Sequence, residues 1–139
     1  MIIVKFKTFE NYNYKQQRID NIMNIINSCE VGDIIDEDII YQYVQILHGN
    51  HDFIDGDLGK RIEKYSKYKL SEIDISNLNI DEYYLFDDLV DKYVDKYNKS
   101  GYYPPIVISN KNKLIDGNHR SNALNKLGFK KIKAFIGIK

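Results

Sequence analysis

The sequence predicts an α+β fold preceded by a mainly helical extension, and three observations lead there. From Phe86 onward the chain reads helix, strand, turn, strand, helix, strand. Upstream of residue 67 most apolar residues recur at three- and four-residue spacing, the period of a helix face. The composition is ordinary globular: 139 residues, 43% hydrophobic and 29% charged, enough chain to bury a core without a disulfide or metal staple.

Taken in order, Ile2 to Phe6 reads as a short strand. Residues 12–29 set Ile19, Ile22, Met23, Ile25 and Ile26 on a polar background at helical spacing. Gly32 punctuates, and Asp36 is an N-cap for a second helix with Ile39, Ile40, Tyr43, Val44 and Leu47 on one face. His48 to Gly59, HGNHDFIDGDLG, holds three glycines and three aspartates and reads as a loop. A short helix follows from Asp57, and residues 68–75, YKLSEIDI, read as a strand. Phe86, Leu89, Val90, Tyr93, Val94 and Tyr97 then mark an amphipathic helix whose other face carries Asp87, Asp88, Asp91, Lys92, Asp95 and Lys96. Gly101 ends it. Pro104 and Pro105 force extended backbone before Ile106-Val107-Ile108, a buried strand, and SNKNK turns the chain into Leu114-Ile115 to complete a hairpin. Residues 118–127 form a helix closed by Gly128, and IKAFIGI is the last strand. The division is an N-terminal helical extension over 1–67 and a core over 68–139, or one compact unit of both.

Formal net charge is zero, with 20 basic and 20 acidic residues. That zero hides a division. Residues 1–100 hold 12 basic and 19 acidic side chains, net −7, whereas residues 101–139 hold 8 and 1, net +7. The zero alone argues against a nucleic-acid binder that works by bulk charge, but it is misleading, because the basic final quarter points to an anionic ligand. The single cysteine, Cys29, excludes an internal disulfide or a thiolate metal cluster and fits a reducing, cytoplasmic setting. The start MIIVKFKTFENYNYK lacks the uninterrupted apolar stretch of a signal peptide, and no window approaches the ~18 residues of a membrane span. Richness in Ile, Asn, Lys and Tyr matches the codon bias of an AT-rich genome, a low-GC bacterium or its phage.

The chemistry concentrates in Ile115-Asp116-Gly117-Asn118-His119-Arg120, where a strand hands over to a helix. Gly117 lets the backbone turn sharply and approach a ligand. The first helical turn supplies amide N–H groups and the positive end of the helix dipole, an anion site. His119 and Arg120 add donors, Arg120 as a bidentate fork suited to phosphate. Asp116 precedes the turn, where it orients His119 or holds a Mg²⁺ bridging phosphates. The structural alternative is a capping aspartate, a packed histidine and a solvated arginine.

PPIVISN, then LIDGNHRSNALNKLG and the IKAFIG strand, resembles the ParB/sulfiredoxin superfamily, whose pattern is a Pro-Ile-x-Val strand, a hairpin, and Gly-x-His/Arg-Arg opening a helix that ends in Leu-Gly. LSEIDISNL and the helix ending in KSG look like that family's opening strand and first helix, so the likeness covers residues 68–139. It implies a small mixed β-sheet with packed helices. Sulfiredoxins carry a catalytic Cys after the Gly, where this chain has Asn118, so sulfiredoxin reductase activity is not expected. ParB proteins carry Gly-Glu-Arg-Arg and a following helix-turn-helix domain. Nearest in look is the Asp-Gly-His-His-Arg subgroup, which includes kinases acting on free serine; Asp116, Gly117, His119 and Arg120 match it and Asn118 departs from it. By this resemblance ATP or another nucleoside triphosphate, with Mg²⁺, sits at the turn. Gly117, Asn118, His119, Arg120, Ser121 and Asn122 cradle its phosphates, His119 and Arg120 neutralise developing charge, and Asp116 or Glu82 is the base or metal ligand.

Three further features have two readings each. His48, His51 and Asp52, with Asp55 and Asp57, form either a metal cluster or a solvated loop. Gly56 to Lys60 has part of the look of a phosphate loop without its spacing, or covers the core's site as a specificity loop. Lys126, Lys130, Lys131 and Lys133 either track a phosphate backbone beside the anion site or form a solvated surface. The function expected is nucleotide or phosphate binding, with hydrolysis or phosphoryl transfer at the Asp-Gly-Asn-His-Arg turn. The rivals are a non-enzymatic phage or plasmid accessory module, which binds nucleic acid or, through the acidic N-terminal region, a protein partner, and a Mg²⁺-dependent nuclease.

Overall fold

A computed structural model of the chain describes residues 2–49, 56–78 and 86–139, with side chains from Tyr14 onward. The elements are α1 (Ile2–Ser28), β1 (Ile34–Asp36), α2 (Glu37–Leu47), α3 (Gly56–Glu63), β2 (Lys67–Asp74), a 3-10 turn (Ile75–Asn77), α4 (Asp87–Ser100), β3 (Ile106–Ile108), β4 (Leu114–Asp116), α5 (Asn118–Lys126) and β5 (Lys131–Ile138). The strands form one sheet in the order β1-β2-β5-β3-β4. Every neighbouring pair is antiparallel except β3 with β5, which is parallel. The class is α+β with a mixed sheet, as the sequence predicts.

One element differs. Ile2 to Phe6 belongs to α1 and is not a strand. No glycine or proline separates these residues from the helix that follows, and extending an existing helix fixes one residue per hydrogen bond gained. The sheet edges are taken by β1 and β4.

Strand alternation divides the core into two layers. Val107 and Phe135 face one side, where they pack with Ile22 and Ile26 of α1, Ile40, Tyr43 and Val44 of α2, and Ile62 of α3. Ile106, Ile108, Ile132 and Ala134 face the other, against Val90 and Tyr97 of α4 and Ala123 and Leu124 of α5. The period-2 pattern of β3 and β5 thus sandwiches the sheet between α1–α3 and α4–α5. Burying each such aliphatic side chain contributes roughly 1.5–3 kcal/mol. The helices before residue 67 therefore share a core with β3, β4 and β5, and β1 extends the sheet through β2. Among the described residues no helix is long and apolar enough to cross a membrane.

Candidate functional site

The turn between β4 and α5 is built on Gly117, at φ 111° and ψ 25°. A Cβ there would lie 2.5 Å from Ile106 Cγ2 and 3.1 Å from Arg120 Nη2, so both the conformation and the space require glycine. The Ser121 amide and its hydroxyl each donate to the Gly117 carbonyl at 2.8 Å. Asn122 Nδ2 donates to the Asn118 carbonyl at 2.8 Å. Ser121 and Asn122 thus spend their side chains on holding the turn. Gly117, the N-cap residue of α5, brings no side chain to the positive end of that helix.

Asp116 lies at the centre of a buried polar group. His48 Nε2, at the C-terminal end of α2, is 2.8 Å from its Oδ1, and Arg120 Nη2 is 3.6 Å from its Oδ2. The Asp116 and Arg120 side chains are 9% and 8% exposed, and His48 is 44% exposed. Arg120 Nη2 also donates to the Pro105 carbonyl at 3.2 Å, which accepts the buried Tyr43 hydroxyl as well. Arg120 Nε has no partner among the described residues. Burial pushes the Asp116 carboxyl up, but the His48 hydrogen bond and the Arg120 charge outweigh it and hold the group below its ordinary range. The same hydrogen bond raises His48 against its partial burial.

His119 is engaged elsewhere. Its ring stacks on Phe86 with centroids 5.7 Å apart and planes 7° apart, and Nε2 accepts the Phe86 amide proton at 3.1 Å. Asp116 therefore orients His48 and Arg120 and not His119. Burial lowers the His119 pKa, which keeps the ring neutral.

These groups border a cleft of about 1350 Å³. Besides Arg120, it is lined by Arg61 of α3, Lys64 just after that helix, Lys111 and Lys113 from the β3–β4 turn, and Lys139, and Asp116 is the one acid among the described lining residues. Ser109 fixes the lysine turn: its Oγ accepts the Lys111 and Lys113 amides at 3.2 and 3.1 Å. Lys126, Lys130, Lys131 and Lys133 do not line the cleft. Lys126 pairs with Asp91 at 3.6 Å, and Lys131 and Lys133 stand directly opposite Asp74 and Glu72 in the β2–β5 register. The basic final quarter is thus split between two surfaces, and α3 makes up part of the cationic lining.

Glu82, His51, Asp52 and Asp55 lie outside the described residues. Among the described residues no three His, Cys, Asp or Glu side chains gather as metal ligands, and His48 turns to Asp116. Sequence reasoning did not foresee that His48–Asp116 bond. Nor did it place Arg61 and Lys64 at the site, although Gly56 to Lys60, the specificity-loop candidate, opens the helix that carries Arg61 and ends just before Lys64.

No family model and no curated protein matches this chain. Solved structures do, each over 50% of the chain. A pNOB8-like ParB N-domain is 22% identical with TM-score 0.43 and is covered over 29% of its length. Sulfiredoxin from Arabidopsis thaliana is 20% identical with TM-score 0.45, covered over 85%. Another pNOB8-like ParB N-domain structure is 27% identical with TM-score 0.39, covered over 27%. The chain spans less than a third of each ParB N-domain chain it matches. The likeness is one of fold.

Proposed function

We propose that this chain binds a nucleoside triphosphate through its phosphates, in the cleft at the start of α5. One observation carries the reading: five cations besides Arg120 line the cleft, and its only described acid is already paired with Arg120 and His48. An anion entering there meets the amides of the first turn of α5 and the lysines of the β3–β4 turn, with no carboxylate among the described residues free to repel it. Arg120 acts on this reading as the buried counter-ion that fixes Asp116 beneath the turn.

Phosphoryl hydrolysis or transfer, which the Asp-Gly-x-His-Arg likeness implies, would use the same cations to offset charge growing on the phosphoryl oxygens. The described residues supply the charge more clearly than a base. Asp116 is held by two cations, and His119 Nε2 already accepts a hydrogen bond, which leaves the proton of the neutral ring on Nδ1. Mg²⁺ prefers several oxygen ligands in octahedral array, and the described cleft offers one carboxylate with a cation at each oxygen.

The test is a thermal-shift panel of ATP, CTP, GTP and inorganic triphosphate. Saturation at about a hundredfold over Kd stabilises by roughly 2.7 kcal/mol, a rise of several degrees. Lys111→Gln with Lys113→Gln should shrink that rise without changing the unliganded melting point. A melting curve that none of these compounds moves sinks the reading. Phosphate release from ATP, followed separately, reports whether turnover accompanies binding.

A further inference from the structure

The amides at the start of α5 and the lysines of the β3–β4 turn suffice for one phosphate, which leaves Arg61 and Lys64 without a role. A single phosphate carries at most about two negative charges at pH 7, whereas five cations besides Arg120 line the cleft. Arg61, in the last turn of α3, and Lys64, just after it, are both exposed and both line the cleft. Arg61 Nε is 3.5 Å from Asp57, a solvated i,i+4 pair whose carboxylate is 81% exposed, and such pairs yield readily to a better anion.

Two tethers fix these cations relative to the α5 turn. Tyr65, two residues past the end of α3, is pinned at both sides of its ring. Its hydroxyl donates to Asn110 Oδ1 at 3.0 Å, beside Lys111, and its ring occupies space that a Cβ on residue 137 would enter at 2.4 Å, so Gly137 admits it. At the other end of the cleft His48 ties the end of α2 to Asp116 at 2.8 Å. Between these points α3 packs against β4, the strand that delivers Asp116. Arg120, which also lines the cleft, is 6% exposed and is held by the Pro105 carbonyl and Asp116.

We infer that Arg61 and Lys64 form a second anion locus in this cleft, which holds a phosphate remote from the 117–121 turn and makes the chain selective for a triphosphate over a monophosphate. The inference rests on the turn binding phosphate. It gives the N-terminal helices a share in ligand selection: α2 and α3 carry residues of the recognition surface, and the β3–β4 turn carries the rest.

Calorimetric titration of the full chain with inorganic phosphate, inorganic triphosphate and ATP tests it, in wild type and in Arg61→Gln with Lys64→Gln. Both side chains are exposed, so the double variant should keep the wild-type melting point. Wild type is expected to bind triphosphate at least about tenfold more tightly than phosphate, and the double variant to lose about tenfold for triphosphate and ATP with phosphate unchanged. Equal affinity for phosphate and triphosphate in wild type overturns the inference and leaves the phosphate reading standing. A double variant that loses both ligands equally, or neither, also overturns it. Wild type that binds none of the three overturns the phosphate reading and the inference together. Tighter binding of a single-stranded oligonucleotide than of triphosphate overturns it in favour of a nucleic-acid groove.

Discussion

Replacing Arg120 with methionine removes one member of a buried ion pair while keeping most of the side-chain volume. Asp116 and Arg120 are 9% and 8% exposed and 3.6 Å apart, so the carboxylate left behind has only His48 to compensate it. Breaking a buried pair from one side costs about 3–5 kcal/mol. The Pro105 carbonyl keeps the Tyr43 hydroxyl as a donor, which limits any added hydrogen-bond loss to about 1 kcal/mol. His48 remains 2.8 Å from the carboxylate, which places the expected cost in the lower part of the range, about 3–4 kcal/mol. At about 2.1 cal/mol/K per residue over 139 residues this is a fall of about 10–14 °C in melting temperature. Urea denaturation gives the free energy directly. The double variant Asp116→Asn with Arg120→Met removes both charges and should recover about 1–2 kcal/mol of that loss, since the stranded carboxylate is gone. A single variant costing under about 1 kcal/mol, or a double variant whose cost is the plain sum of its parts, would refute the reasoning.

The remaining predictions concern the turn, the Tyr65 tether and pH. Gly117→Ala must hold a left-handed conformation and push into Ile106, so urea titration should show a loss of at least about 2 kcal/mol, partly relieved by Ile106→Val. Gly137→Ala drives a methyl into the Tyr65 ring and should cost about 1–3 kcal/mol, with Tyr65→Ala restoring room but not the Asn110 hydrogen bond. Asp116 titrates below its unfolded value, so its contribution is present above about pH 4 and is lost as pH falls through the lower folded pKa. His48 titrates above 6.5, so its contribution is complete below that pH and is lost as pH rises through the raised folded pKa. Denaturation across pH should therefore show His48→Gln flattening the alkaline fall, whereas His119→Gln, whose pKa is lowered by burial, acts on the acid side.

Much of the core was legible because its signals are local. The spacing from Phe86 to Tyr97 and the stop at Gly101 mark α4, whose end takes φ 68° at that glycine. Pro104 and Pro105 ahead of Ile106 to Ile108, and the polar turn to Leu114, mark the β3–β4 hairpin. Gly117 was legible for the same reason, since a strand-to-helix handover needs its backbone. Partners distant in sequence were not. His48 and Asp116 are 68 residues apart, and the residues around His48 read as either a metal cluster of neighbours or a solvated loop. The lysines at 126–133 looked like part of the anion site because they are near it in sequence. A strand side chain's face, however, is set by its register, which turns Lys131 and Lys133 toward acids on β2. Arg61 and Lys64 carried no mark beyond helical spacing, and only the packing of α3 on β4 brings them to the cleft. Ile2 to Phe6 failed for a different reason: a short apolar run fits either period, and length alone cannot decide it.

The most direct test of the central claim is a titration of inorganic triphosphate into ¹⁵N-labelled protein, followed by amide resonance shifts. The largest saturable shifts are expected at residues 117–121, smaller ones at 61–64 and 111–113, and none at 130–133. Spectra that stay unchanged, or shifts confined to residues 130–133, contradict a phosphate site at the start of α5.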